Sequence, residues 1–332
     1  MQHYKGEIMK NALRALYKRI GFHSSALIGV IVILSVVMQI RAPYFLTRLN
    51  FEILLMGFVL EAIMAIGMTL VIISGGIDLS VSSVLPFSAI LVGLLVKAGI
   101  SIPLSIVITL MVALTIGLAN ATLKTVLDVH PFIATLAMML TIRGLAIAIS
   151  GGTNISGFPP EFALFGQGYL FGVPIPLLLF IVLALVIGVL LKHHKFFQQI
   201  YFVGYDSRAA RVSGINVTLI NFFVFGLSAL LAGLAGVVAA SQYGTAHNSF
   251  AIGAELKVIT AVVIGGTNIV RGGEGNMLGT VLGVLFMAII FNAFAMSGID
   301  TYWQEIVNGV MLLLAIFMVE VLRKKQNGLT LG

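Results

Sequence analysis

Long apolar segments recur along this chain and constrain its fold more than any other feature. A helix needs about 20 apolar residues to cross a hydrocarbon layer about 30 Å thick, and the segments have that length. The alternating pattern of membrane-spanning strands is absent from the sequence. Because 59% of the 332 residues are apolar and only 9% are charged, one water-soluble core could not bury them. The sequence therefore predicts an all-α integral membrane protein.

The breaks between the apolar runs predict about ten transmembrane helices, with glycine-broken or re-entrant segments among them. The predicted spans are residues 25–40, 51–72, 82–98, 103–123, 132–150, 174–191, 218–241, 255–270, 277–297 and 303–322. They form one transmembrane domain, residues 25–322, between a basic N-terminal segment, residues 1–24, and a short tail, residues 323–332. A basic connection at 192–217 and a glycine- and proline-rich one at 151–176 are long enough to carry function.

Lysine and arginine are unevenly distributed between the two sides of these predicted spans. With the N-terminus in the cytoplasm, most of them fall in inner segments, and Arg41 and Arg48 are the clear outer ones. Cytoplasmic loops of membrane proteins carry such an excess. We therefore expect both termini in the cytoplasm. The net charge of +7 is attributed to topology and lipid contact rather than to nucleic-acid binding.

The stretch VIISGGIDLSVSS, residues 71–83, interrupts an apolar run with two glycines and an aspartate. Gly75 and Gly76 allow the backbone to leave the helix, which frees amides and carbonyls that need partners away from water. Asp78 can accept hydrogen bonds from the amides of the next helix, which begins near Ser80. The stretch predicts a helix break in which Asp78 acts as a cap. A direct role in passing a polar solute is the alternative.

A later stretch, IGGTNIVRGGEGNMLGT, repeats this composition of apolar run, glycine pair, charge and small residues. Its break glycines are Gly265, Gly266, Gly272 and Gly273. Two such breaks are typical of paired broken helices in transporters. Arg271 and Glu274 either pair across the turn or face a partner protein.

An ionisable side chain inside a membrane span costs free energy, so the ionisable residues of the predicted spans count as functional candidates. Glu61 and Arg143 either pair with each other across the bundle or line a path for a polar solute. Asn120, Thr135 and Asn292 offer neutral hydrogen bonds of the kind that a sugar hydroxyl exchanges for water.

The inner loop at 192–217 contains YDSRAARVSGIN, which predicts a short capped helix outside the membrane. Asp206 or Ser207 can cap its N-terminus, and Gly214 can take the left-handed position that closes it. Such a helix is either a simple turn between spans or a docking element for a soluble partner. Its candidate docking residues are Asp206, Ser207, Arg208, Ala209, Ala210, Arg211 and Gly214.

Nothing in the sequence predicts catalysis. The phosphate-binding pattern G-x-x-x-x-G-K-[ST] is absent, so any nucleotide hydrolysis belongs to another subunit. His193 and His194 are adjacent, the other four histidines are scattered and the chain has no cysteine, so no metal site is predicted. We expect a transport subunit that binds no cofactor itself.

Five motifs in order resemble the permease subunits of bacterial sugar ABC importers, with ribose permeases the nearest type. They are AIGMTLVIISGGIDLSVSS, PFIATLAMMLTIRGLA, AARVSGINV, AVVIGGTNIVRGGEGNMLGTVLG and YWQEIVNGVMLLLAIF, and the match as a whole runs from about Glu61 to Val321. The resemblance implies a permease of the bacterial cytoplasmic membrane that carries a sugar, most simply a ribose-like monosaccharide. The alternative is an ion-coupled secondary transporter of a small polar solute that uses Glu61 and Arg143.

The resemblance also implies partners. They are an ABC ATPase that uses ATP and magnesium, an extracytoplasmic sugar-binding protein, and a second permease subunit, identical or related. The short helix near Ser207 would then be the coupling helix that docks on the ATPase.

Overall fold

The computed structural model describes residues 22–326, which form an all-α bundle as predicted. Most of the predicted N-terminal segment 1–24, and the last residues of the predicted tail, lie outside this range. The helices are α1 (Phe22–Arg41), α2 (Arg48–Ile73), α3 (Val81–Lys97), α4 (Ile102–Thr125), α5 (Pro131–Ser150), α6 (Leu164–Gln167), α7 (Ile175–His193), α8 (Lys195–Tyr205), α9 (Ser207–Val212), α10 (Val217–Tyr243), α11 (Ala254–Ile264), α12 (Met277–Met296) and α13 (Thr301–Gln326).

Each of the ten predicted spans corresponds to one of these helices. Within residues 22–326, seven helices are long and apolar enough to cross a membrane: α1, α2, α4, α5, α7, α10 and α12. Helix α3 and the section Tyr302–Phe317 of α13 are apolar but shorter. The predicted count of about ten is therefore roughly right, and the protein is a multi-pass membrane protein.

The predicted span 255–270 is wrong at its end. Helix α11 stops at Ile264, after 11 residues, and the chain then turns at Gly265 and Gly266. At 1.5 Å per residue this helix is only roughly 16 Å long, about half of a hydrocarbon layer. The apolar residues after it belong to a turn rather than to a helix.

Helix α10 lies at the centre of the bundle and packs against α2, α3 and α4. Its glycines let neighbouring backbones approach, because a side chain at these positions would overlap main-chain atoms. A methyl group on Gly236 would meet the carbonyl of Leu85 on α3, and one on Gly117 of α4 would meet the carbonyl of Phe225. Helix α2 is fully buried from Ala62 to Ile73. The peripheral helices α1, α4, α5 and α7 expose apolar side chains, as lipid contact requires.

The alternating direction of the helices gives the bundle two ends. The basic end carries the connections 74–80, 126–130, 194–216 and 265–276, and the opposite end carries 42–47, 98–101, 151–174, 244–253 and 297–300.

The long connection at the opposite end covers helix ends. Its strand β1 (Ile155–Ser156) pairs antiparallel with β4 (Thr245–Ala246), which follows α10, and β2 (Tyr169–Leu170) pairs with β3 (Val173–Pro174). Phe162 is fully buried, and its carbonyl accepts a hydrogen bond from Ser241 at the end of α10. Tyr169 donates to Glu52 of α2, and this bond raises the pKa of the exposed phenol. The connection therefore fastens α2 and α10 at this end.

Candidate functional site

The first glycine break lies between α2 and α3 at the basic end. Helix α2 ends at Ile73 with Ser74 as its C-cap, and Gly75 then adopts φ = 76°, a left-handed conformation that suits glycine. Helix α3 begins at Val81. Asp78, between them, is fully buried. The structure therefore contains the predicted break, with a carboxylate enclosed in it.

Asp78 joins three helices through its two carboxylate oxygens. One oxygen accepts from the amide and the hydroxyl of Ser80, at 3.1 and 2.6 Å, and from Nδ2 of Asn120 on α4, at 3.5 Å. The other oxygen accepts from the hydroxyl of Ser228 on α10, at 2.9 Å. Asn120 also donates to the hydroxyl of Ser80, at 2.8 Å. The prediction that Asp78 caps α3 is wrong, because the N-cap residue is Ser80 and no side chain caps the first amides of the helix. The bond from the Ser80 amide to Asp78 closes a turn just before the helix, and the other bonds join the aspartate to α4 and α10.

Helix α5 supports the same break from the side. The hydroxyl of Thr135 donates to the carbonyl of Ile77 at 3.1 Å, and Nη2 of Arg143 donates to the carbonyl of Ser82 at 3.0 Å. Asn120, Thr135 and Arg143 were predicted as path or ion-pair residues. The structure places all three against the backbone or side chains of the break, and their role in a path stays a prediction.

The second glycine break, residues 265–276, lies between α11 and α12 at the same end. Gly266, Gly272 and Gly273 adopt positive φ angles of 93°, 67° and 70°. Asn268 organises the turn, because its side-chain oxygen accepts from the amides of residues 270 and 271 and its Nδ2 donates to Glu274 at 3.0 Å. Glu274 therefore bonds to Asn268 in the structure rather than to Arg271.

The two breaks meet at a cluster of main-chain contacts, here called the glycine junction: Gly75, Gly204, Gly272 and Gly273. The amide of Gly273 donates to the carbonyl of Ile73, the last residue of α2, at 2.8 Å. A methyl group on Gly204 would overlap that same carbonyl, and one on Gly272 would stand 2.8 Å from Cα of Gly75. Close contact of three backbones is possible here because no side chain intervenes.

Helix α9 lies next to the junction along the chain, since Gly204 precedes its cap by two residues. Asp206 caps the helix by accepting from the amides of Arg208 and Ala209, at 2.9 and 3.0 Å. Gly214 adopts φ = 83°, and Ala210 is buried beneath the helix. The predicted short capped helix is confirmed, with Arg208 and Arg211 exposed.

Two further candidates, Glu61 and Asn292, lie nearer the opposite end. Glu61 and Arg143, both in the described part of the chain, do not form the ion pair that was one of the predicted alternatives. Glu61 instead lines a cavity of about 270 Å³ with Tyr243 and Phe250. Asn292 exchanges two amide hydrogen bonds of 3.0 Å with Asn50 and so joins α12 to α2. Within residues 22–326, no three His, Cys, Asp or Glu side chains are grouped as metal ligands would be.

Three residues of the site were missed by the sequence reading: Gly204, Ser228 and Tyr243. Gly204 stands alone in YFVGYD, without the glycine pair that marked the two breaks. Ser228 and Tyr243 lie within an apolar helix, and small or amphipathic residues are common there. A search for single small residues at the end of an amphipathic helix would have found Gly204.

Fold and site together define a polytopic membrane transport protein built around two broken helices. Residues 50–316 match the family described as branched-chain amino acid transport system / permease component, and the chain belongs to this family of permeases. No solved structure is significantly similar to the chain.

Curated relatives cover nearly the whole chain. It is 35% identical to the ribose import permease protein of Bacillus subtilis, over 86% of this chain and 89% of that protein. It is 36% identical to the ribose import permease protein of Escherichia coli K12, over 88% and 92%. It is 32% identical to the L-arabinose ABC transporter permease protein of Azospirillum brasilense, over 92% and 90%.

Proposed function

We propose that this chain is the transmembrane subunit of an ATP-driven importer that carries a monosaccharide, ribose or a similar sugar, across the bacterial cytoplasmic membrane. The observation that carries the proposal is the capped helix α9, which projects from the basic end beside the glycine junction. Both termini then face the cytoplasm, as the excess of basic residues at that end favours. The names of the relatives support a sugar, although the family description names branched-chain amino acids.

The importer needs partners that this chain does not supply. A separate ABC ATPase binds and hydrolyses ATP with magnesium, and an extracytoplasmic binding protein delivers the sugar. A second permease subunit, identical or related, completes the membrane part. Helix α9 suits the ATPase contact because Ala209 is small enough for close approach and Arg208 and Arg211 can bind carboxylates.

Transport proceeds by alternating access in this proposal. Closure of the ATPases on ATP displaces α9, and the displacement reaches α8 because only Asp206 separates the two helices. Gly204 near the end of α8 contacts both broken helices, so the movement passes directly to α2 and to the turn before α12. The bundle then exposes its interior to one side or the other.

Negative charge introduced on α9 tests the docking surface. We expect Ala209→Glu and Arg211→Glu to reduce both ATPase association and sugar uptake about tenfold or more, because a carboxylate then opposes the acidic groups that the arginines would bind. Membrane insertion should stay normal, since both side chains lie outside the bundle. Co-purification of the ATPase and uptake into vesicles measure the two effects.

A matched control is Lys97→Glu, the same kind of charge change at an exposed position of the opposite end. This variant should keep its ATPase. Normal assembly and uptake in both α9 variants would contradict the docking assignment.

Gentle purification from the native membrane, followed by mass spectrometry, tests the proposal as a whole. An ATPase and a sugar-binding protein should remain bound or be encoded beside this chain. Uptake by the chain alone, driven by an ion gradient, would instead support an ion-coupled secondary transporter.

A further inference from the structure

A cavity of about 270 Å³ reaches the surface of the bundle at its opposite end. Its walls come from α2, α3, the end of α10 and the loop 249–251. It opens beside Gly57 and Ser249, which are exposed. Ligand pockets for drug-sized molecules occupy about 300–1,000 Å³, so this volume suits a smaller ligand.

The cavity is closed toward the basic end. Met64 and Leu85 line it and are almost completely buried, so they form its floor. Beyond Met64, α2 stays fully buried as far as Ile73, where the break around Asp78 begins. A ligand in the cavity is therefore not accessible from the basic end.

Glu61 brings a carboxylate to the wall of the cavity, where its own backbone amide donates to it. In the described part of the chain, no other residue forms a hydrogen bond or ion pair with this carboxylate. The charge of Lys257 acts on this carboxylate, and Lys257 itself pairs with Glu305 at 3.2 Å. Lys257 is therefore shared between Glu305 and Glu61, and its charge offsets only part of the negative charge beside the cavity. An ionisable group inside a span is costly and is retained where it has a function.

The other lining groups suit a ligand with hydroxyl groups on its edge and C–H groups on its faces. The two oxygens of Glu61 can accept from neighbouring hydroxyls, and the hydroxyls of Tyr243 and Ser249 can donate or accept. The rings of Tyr243 and Phe250, with centroids 5.3 Å apart, offer an apolar surface to C–H groups. A monosaccharide has hydroxyl groups around the edge of its ring and C–H groups on its faces.

We infer that the cavity beside Glu61 is a binding site for a monosaccharide entering from the extracytoplasmic side, with the Glu61 carboxylate accepting its hydroxyls and the Tyr243 and Phe250 rings covering its face. This inference rests on the proposed function, because the importer supplies both the sugar and the direction of entry.

A thiol at the cavity tests the site directly, because the chain has no native cysteine. Gly57→Cys places a side chain at a point with no other atom within 4 Å. An impermeant maleimide added from outside should label this thiol. The probe sugar is whichever of ribose, arabinose, glucose and galactose is accumulated by vesicles that hold the complete importer. At high millimolar concentration that sugar should slow labelling several-fold, and acyclic mannitol should not. The control, Leu46→Cys in the exposed loop 42–47, should be labelled at the same rate with and without sugar.

Removing the charge of Glu61 tests its role in the site. Glu61→Gln should lower uptake roughly tenfold or more, the effect of losing hydrogen bonds to a charged acceptor. ATPase association should stay normal, since Glu61 lies far from α9 along the bundle. The matched control is Glu52→Gln, the same change on the same helix outside the cavity, which should transport normally.

The outcomes separate this inference from the proposed function. If wild-type vesicles accumulate none of the four sugars, the proposed sugar importer is wrong. If they accumulate a sugar that does not slow labelling of Gly57→Cys, the cavity is not its site, whatever Glu61→Gln does. Protection together with normal uptake by Glu61→Gln would keep the cavity but overturn the role of the carboxylate.

Discussion

Gly204→Ala is expected to abolish uptake and to lower the stability of the protein in detergent. A methyl group at this position would overlap the carbonyl oxygen of Ile73 and stand 2.6 Å from the amide nitrogen of Gly273. Those two atoms are hydrogen-bonded to each other, and both are main chain, so no side-chain rotation can make room. Overpacking typically costs about 1–3 kcal/mol, and we expect about 3 kcal/mol or more here. Thermal unfolding in detergent and vesicle uptake measure the two effects.

The matched control is Gly144→Ala in α5, because no atom lies within 4 Å of the added methyl group. Alanine is a better helix former than glycine by roughly 0.5–1 kcal/mol, so this variant should be slightly more stable and fully active. Equal stability and uptake in both variants would mean that the glycine junction has room which the structure does not show.

The spans could be predicted from the sequence because lipid imposes a length and a composition on each of them. Helix α11 shows where this signal ends. Ile269 and Val270 are apolar and no charged residue separates them from Ile264, so hydropathy extends the span. The helix nevertheless stops, because Gly266 takes a left-handed conformation and the following turn is organised by Asn268. Hydropathy measures composition and does not register a change of backbone direction.

The glycine breaks could be predicted as well, but their contacts could not. Asp78 bonds to Ser228, which is 150 residues away along the chain. Asn120 and Thr135 are polar residues in apolar helices, and the sequence alone does not distinguish a path for sugar from a support for a buried break. Their partners depend on which helices are adjacent, and local periodicity does not contain that information.

Asp78→Ala is expected to lower the free energy of unfolding by roughly 3–5 kcal/mol and to reduce the amount of protein in the membrane. The carboxylate is fully buried and accepts hydrogen bonds from Ser80, Asn120 and Ser228. Each buried donor left without an acceptor costs about 1–3 kcal/mol, and a membrane interior offers no water to replace it. Abundance in membranes and thermal unfolding in detergent measure this loss.

Asp78→Asn separates the shape of the side chain from its charge. The asparagine oxygen can still accept from Ser80, and its amide can donate to the Ser228 hydroxyl, which also accepts. We therefore expect this variant to be more abundant and more stable than Asp78→Ala, and both variants to keep the wild-type preference among sugars for the protein that does fold. This follows because every residue of α2 from Met64, at the cavity floor, to Ile73 is buried. Asp78, which lies beyond Ile73, therefore has no access to a ligand in the cavity. A stable, abundant Asp78→Ala protein with a changed sugar preference would assign the aspartate to the transport path instead of to the break.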